Sequence, residues 1–184
     1  ENDIMLASMM PKSMKMKFKD DNTISELKTG AGVFQTQFIN QNKDKKLIHL
    51  VKLVNKKYGL IIDSTEIYDS YAKKTGGMKI EKTKQTKEIA GFKCKHAKVI
   101  FDNPEDNFDV YYTTDIAIKN PNWCTPFNEI EGVLMEYVIE QYNVKMHLVA
   151  ANVYPAEVED AFDMPEDYEQ ISQAEMEEKF LDFW

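Results

Sequence analysis

Three histidines, two cysteines and an early run of methionines are the side chains in this sequence with the most distinctive chemistry. His49, His96 and His147 fall in three separate segments, with no H-x-H, HExxH or clustered Cys/His spacing. A metal site would have to be assembled by the fold alone, so they are read as structural histidines, with no metal and no cofactor expected. Met5, Met9, Met10, Met14 and Met16 cluster near the start. Soft thioethers can hold copper(I) or form an adaptable apolar wall, and ordinary core packing is the plainest reading. Twenty carboxylates lie between Asp102 and Asp182, so many that choosing two as an acid/base pair conveys nothing. The chain has no G-x-S-x-G elbow, no phosphate-cradling glycine loop and no dinucleotide fingerprint. A non-catalytic protein is expected.

The elements that must position these residues are mainly strands. Met14-Lys15-Met16-Lys17-Phe18-Lys19 alternates without a fault, as a half-buried strand does. Phe34, Thr36 and Phe38 alternate against Gln35 and Gln37, while Leu47 to Val54 and Leu60 to Ile62 are apolar on both faces, as strands covered on two sides would be. Two hairpins have a testable register. Pairing Phe101 with Phe108 sets Val99 opposite Val110 and Ala97 opposite Tyr112, which gives one apolar face. Pairing Val133–Gln141 with Val144–Val153 across Tyr142-Asn143 sets Met135, Tyr137 and Ile139 against Ala150, Leu148 and Met146, with Glu140 against Lys145 on the reverse face. Ser172 and Glu175 form a capping box. Met176, Phe180 and Phe183 follow at helical spacing, predicting a C-terminal helix over about 172–183. Met5, Leu6, Met9 and Met10 before Pro11 fit a short helix or a strand equally.

The first hairpin register places Cys94 opposite Asp115, with Cys124 nine residues further along the loop that leaves from there. The two thiols are thereby candidates for a disulfide, which would stabilise by roughly 3–4 kcal/mol in the chain-entropy model and imply an oxidising compartment. Two separate buried thiols are the alternative.

At 184 residues, with 43% hydrophobic side chains, the chain suits one ordered domain spanning 1–184. No apolar run reaches the roughly 18 residues of a membrane-spanning helix. The sequence opens on Glu1 rather than Met, as a processed or truncated chain would, and a signal peptide is expected to have preceded it. The net charge of −8 is uneven: residues 1–42 balance, 43–98 carry +9 and 99–184 carry −17. The two charged stretches can neutralise each other in the fold, or the lysine-rich one can face an anionic partner. There is no arginine, and phosphate and base recognition lean on the guanidinium fork. Nucleic-acid binding is not expected.

Part of the chain resembles a known family. The residues are Ile89-Ala90-Gly91-Phe92-Lys93-Cys94-Lys95-His96-Ala97, then Tyr111-Tyr112-Thr113-Thr114-Asp115-Ile116, then Glu129-Ile130-Glu131-Gly132-Val133-Leu134. They resemble the GLPGLI-type and related envelope proteins of Gram-negative bacteria, although the third stretch lacks the namesake proline. The ending Phe162-Asp163-Met164-Pro165-Glu166-Asp167-Tyr168 is similar to the F-x-x-P-x-x-Y close of such proteins. The resemblance implies an exported protein, periplasmic or outer-membrane-associated and often a lipoprotein. It also implies a strongly curved antiparallel sheet like the LolA/LolB and LppX half-barrels, whose concave face takes acyl chains. No catalytic residues carry over.

The function expected is therefore binding of a lipid or other apolar ligand. Candidate wall residues are Met135, Tyr137, Ile139, Met146 and Leu148, with Val99, Val110 and Tyr112. The same eight can equally pack a solid core. A second expectation is an envelope protein–protein interaction module that docks through the lysine-rich 43–98 region or a sheet edge.

Overall fold

The computed structural model describes residues 11–29, 33–74, 78–141 and 144–180. The protein is mainly β, as the alternation predicts. Its strands divide between a six-stranded and a five-stranded sheet, neither of them a closed barrel, and two helices lie among the described residues. The chain forms two compact units, one from residues up to Ser64 together with those from Val158 on, the other from Thr65–Glu157.

The first unit is an antiparallel meander of β1 (Met14–Lys19), β2 (Asn22–Thr29), β3 (Phe34–Gln41), β4 (Lys46–Leu53) and β5 (Lys56–Asp63). Tight turns set its registers. Lys19 pairs with Asn22, so Asp20-Asp21 is a two-residue loop with both φ positive, 51° and 66°, the pattern of a type I′ turn. Leu53 pairs with Lys56, which puts Val54 in the next such loop at φ 54°. Both faces of the sheet are covered from the C-terminal segment. On one face Phe162 packs with Ile39, Ile48 and Leu50, and Val158, Met164 and Tyr168 join them. The segment then adds β11 (Glu169–Gln170) parallel to β5 at the sheet edge. On the other face Ile171 and Met176 pack with Phe34, Val51, Tyr58 and Leu60. Met176 belongs to α2 (Gln173–Phe180), and the capping box holds: Ser172 N donates to Glu175 Oε2 at 2.8 Å and Glu175 N to Ser172 Oγ at 3.3 Å. Phe183 lies outside the described residues, as do Met5, Leu6, Met9 and Met10.

The second unit opens with α1 (Ser64–Lys74), followed by β6 (Lys79–Ile89), β7 (Phe92–Ile100), β8 (Phe108–Thr113), β9 (Val133–Gln141) and β10 (Val144–Val149). They form an antiparallel sheet in the order β10-β9-β8-β7-β6. The β9–β10 register is the one expected, with Leu148 on Tyr137, Met146 on Ile139 and Lys145 on Glu140. Its turn, Tyr142-Asn143, lies outside the described residues. The β7–β8 register differs from expectation by two residues. Val99 faces Phe108 and Ala97 faces Val110, so Val99 is not opposite Val110, nor Ala97 opposite Tyr112. The cause is the loop. Phe101 N donates to the Asn107 side chain at 2.8 Å, and Pro104–Asp106 form a 3-10 turn, so the chain leaves the ladder earlier than pairing Phe101 with Phe108 requires. A slip of two preserves the faces, and the Phe101 and Phe108 rings still meet at 6.0 Å.

Candidate functional site

The apolar face of the five-stranded sheet carries all eight residues expected to line a ligand site. Directly opposed residues of an antiparallel pair share a face, which places Val99 with Phe108, Val110 with Ala97, Tyr137 with Leu148, and Ile139 with Met146. A bulge between Tyr111 and Tyr112 separates the pair Tyr111–Glu136 from the pair Tyr112–Leu134 and leaves Met135 between them.

These eight residues divide by burial. Val99, Val110, Met135 and Tyr112 are at most 2% exposed, and Tyr137 is 8% exposed. Burial pushes the Tyr137 phenol well above its ordinary pKa, so it stays neutral. Part of the cover is the connection from β8 to β9. Phe127 in that connection sets its ring edge-on to Phe108 at 6.2 Å and to Tyr137 at 6.0 Å. Trp123, Cys124 and Ile130 of the same connection are buried too. Ile139, Met146 and Leu148, toward the β9–β10 turn, are only half-buried. Five of the candidates are therefore buried in the core, and three are partly exposed.

A buried side chain ties the connection together. Asn122 Nδ2 donates to the carbonyls of Ile130 at 2.7 Å and Gly132 at 2.8 Å, both buried. Thr125 N and Oγ1 both donate to the Asn122 carbonyl, each at 2.9 Å. Gly132 is required by close approach, since a Cβ there would collide with the Thr113 carbonyl, whose carbon lies 2.8 Å away.

The reverse face is polar; the sequence foresaw this at Glu140 and Lys145 but not the network around His96. His96 is buried, its Nδ1 2.7 Å from Thr83 Oγ1 and its Nε2 3.0 Å from Asp109 Oδ1. Its ring lies 4.8 Å from that of Tyr111. Lys87 sits over the same tyrosine at 5.1 Å and is ion-paired with Glu136, which also meets His147 Nε2 at 3.2 Å. The only sequence clue was the strand register: Thr83, His96 and Asp109 stand 13 residues apart on three successive strands. Hydroxyl, imidazole and carboxylate in line are the parts of a nucleophile and its base. Thr83 Oγ1 also accepts from Gln85 N at 3.2 Å, and the Asp109 side chain is 61% exposed. The two bonds of His96 form a strut across β6, β7 and β8. The β6–β7 ladder runs from Lys82–Ala97 to Thr86–Lys95, so Thr83, Lys84 and Gln85 together face His96, and the Thr83–His96 bond ties this bulge down.

Cys94 and Cys124 are buried thiols with no disulfide between them. With the corrected register Cys94 is no longer placed against Asp115; its ladder partner is Lys87. Burial raises the Cys94 thiol above its ordinary pKa, only partly offset by a backbone hydrogen bond from Ile89, so it is not a ready nucleophile. His49, in the first unit, is buried with Nε2 2.9 Å from Thr36 Oγ1 and stacked on Phe38 at 4.4 Å. No group of three or more metal-ligating side chains occurs among the described residues.

Residues 4–121 match the model of a protein family described as a domain of unknown function, DUF4412. The chain belongs to this family. The match runs from before β1 through β8 and ends just ahead of Asn122, so the Asn122 pin and the β9–β10 hairpin are features of this DUF4412 protein beyond the matched region. No curated protein matches the chain. No described helix is long and apolar enough to cross a membrane.

Proposed function

We propose that this DUF4412 protein is a non-catalytic binding protein of the cell envelope that holds a lipid or other apolar ligand. The observation that carries the reading is the strip of Ile139, Met146 and Leu148, half-buried at the β9–β10 end of a face whose Val99, Val110, Tyr112, Met135 and Tyr137 are buried. Such a strip offers apolar area continuous with a rigid, close-packed floor, and its methionine adapts to ligands of differing shape. The resemblance of residues 86–137 to GLPGLI-type envelope proteins supports the same reading, with a LolA-like half-barrel as the fold type and the periplasm or outer membrane as the location.

The test is retention of a fluorescent fatty acid by the purified, delipidated protein. Losing one fully used apolar contact weakens binding by roughly 1.5–3 kcal/mol, about 10- to 100-fold. Met146→Glu and Leu148→Glu should each lose at least that much. A change of the exposed Val149 on the opposite face of the same strand should lose nothing. Absence of bound lipid by native mass spectrometry, combined with no probe binding, would sink the proposal.

A further inference from the structure

The most lysine-dense part of the fold is the ribbon of β6 and β7, whose outer strand β6 is the free edge of its sheet. Residues 79–98 hold seven lysines against two glutamates, a local charge of +5 in a protein of net −8. All seven are exposed. Lys82 is ion-paired with Glu131 and Lys87 with Glu136, whereas no ion pair joins Lys79, Lys84, Lys93, Lys95 or Lys98 to a carboxylate among the described residues.

Three features of the ribbon indicate what it fits. First, β6 is exposed along nearly its whole length, and its exposed positions are Lys, Glu, Thr and Gln. No apolar or aromatic anchor is offered, and protein partners bind tightly through such anchors. Second, the cations are all lysines, point charges that suit a diffuse field of phosphates better than bidentate capture of one carboxylate or phosphate. Third, eleven residues of strand spread these charges over roughly 35 Å, a line rather than a pocket. At physiological salt the screening length of about 8 Å makes a surface respond to this local charge and not to the net −8.

From this we infer that the β6–β7 ribbon docks the protein onto an anionic lipid surface. The contact is electrostatic, peripheral and edge-on along β6, since strand alternation puts Lys93 and Lys95 on one face of the ribbon and Lys79 and Lys98 on the other. Lysines of both faces reach lipid phosphates past the free edge, and the Thr83–His96 strut fixes the bulge that carries Lys84. It uses none of the apolar strip, so it stands or falls apart from ligand binding.

Co-sedimentation of the whole protein with phosphatidylcholine vesicles, with and without phosphatidylglycerol, tests it. Binding is expected only with phosphatidylglycerol and is expected to vanish near 1 M salt, where the screening length falls to about 3 Å. Each lysine near an anionic surface is worth roughly fivefold in partitioning, so Lys84→Gln with Lys93→Gln should lose about 20-fold. Adding Lys95→Gln and Lys98→Gln should lose on the order of 100-fold or more. The control removes the same number of charges from the first sheet and the residues before it, by Lys12→Gln, Lys15→Gln, Lys17→Gln and Lys19→Gln, and should keep binding. Matching far-UV circular dichroism shows that the variants fold. The inference is overturned if phosphatidylglycerol vesicles do not bind the protein or if the control loses as much as the ribbon variant. Retention on polyglutamate without vesicle binding would also overturn it and point to an acidic protein instead.

Discussion

Lowering the pH from 7 to 5 should weaken the first unit through one side chain, His49. Burial lowers its pKa to about 4 from an ordinary 6.5. The folded protein therefore holds this imidazole neutral, while the unfolded chain is free to protonate it. A folded pKa below the unfolded one means that the unfolded state gains protons first as pH falls. The stability is intact above pH 6.5 and is lost between 6.5 and 4. From these two values the loss is about 1 kcal/mol at pH 6, about 2 at pH 5, and levels at about 3 below pH 4. Carboxylates intervene only at lower pH. Asp167, Glu131 and Glu175 are held below their ordinary values of 3.8, 4.5 and 4.5 by hydrogen bonds from Lys57, Lys82 and the Ser172 backbone, so their contributions are full above those values and are lost as the pH falls below them. The assay is urea unfolding by circular dichroism at pH 7, 6 and 5, on the wild type and on His49→Gln. Glutamine does not titrate and can still hydrogen-bond Thr36. Its loss of the Phe38 stack lowers stability equally at every pH, so the difference between the two pH slopes isolates His49 from His96 and His147. Parallel slopes, with the two proteins losing the same stability from pH 7 to 5, would refute the reasoning.

Asn122→Ala should cost about 2–4 kcal/mol, because two buried carbonyls lose their donor; thermal unfolding reads it, and a change under 1 kcal/mol would mean water replaces the amide. Val54→Gly should stabilise by about 1 kcal/mol, since a β-branched residue at φ 54° carries strain that glycine lacks. An unchanged melting temperature would show that the turn relaxes freely. A thiol reagent added without reductant should find neither cysteine in the native protein and both in denaturant, as two buried thiols require; no thiol in denaturant would mean a disulfide after all.

What the sequence disclosed followed from periodicity. β1 was legible because Met14, Met16 and Phe18 alternate with lysines, and the β9–β10 register because Glu140 and Lys145 leave only one apolar match. The capping box at Ser172 needed no tertiary context. β6 was invisible for a physical reason: an edge strand exposed on both faces has no apolar residues to alternate, so its lysines read as loop or helix surface. The β7–β8 register went wrong through a side chain, since nothing local shows that Asn107 rather than a strand partner receives the Phe101 amide. The polar network around His96 joins residues of three strands and becomes visible only once the bulge in β6 is known. The Asn122 pin likewise depends on carbonyls 8 and 10 residues away. The charge imbalance was only partly settled by the fold. Among the described residues, the ion pairs Lys57–Asp167, Lys82–Glu131 and Lys87–Glu136 join the lysine-rich stretch to the acidic one, while all seven lysines of residues 79–98 stay exposed.

The two sheets dispose of their apolar area differently, and this bears on where a ligand can bind. In the first unit the C-terminal segment lays Phe162 and Met164 on one face and Ile171 and Met176 on the other, while Gln41 Nε2 clasps it through the Phe162 carbonyl at 2.9 Å and Asp163 at 2.7 Å. Gly59 leaves room for Met164, and any Cβ there would strike its sulfur. A strap held at this many points does not yield its place to a ligand at small cost. On the second sheet, part of the cover is Phe127, set edge-on to Phe108 and Tyr137, in a connection held by Asn122 and by the Lys82–Glu131 ion pair. Ile139, Met146 and Leu148, toward the β9–β10 turn, are half-buried, and they are the side chains to which the proposed function assigns the ligand.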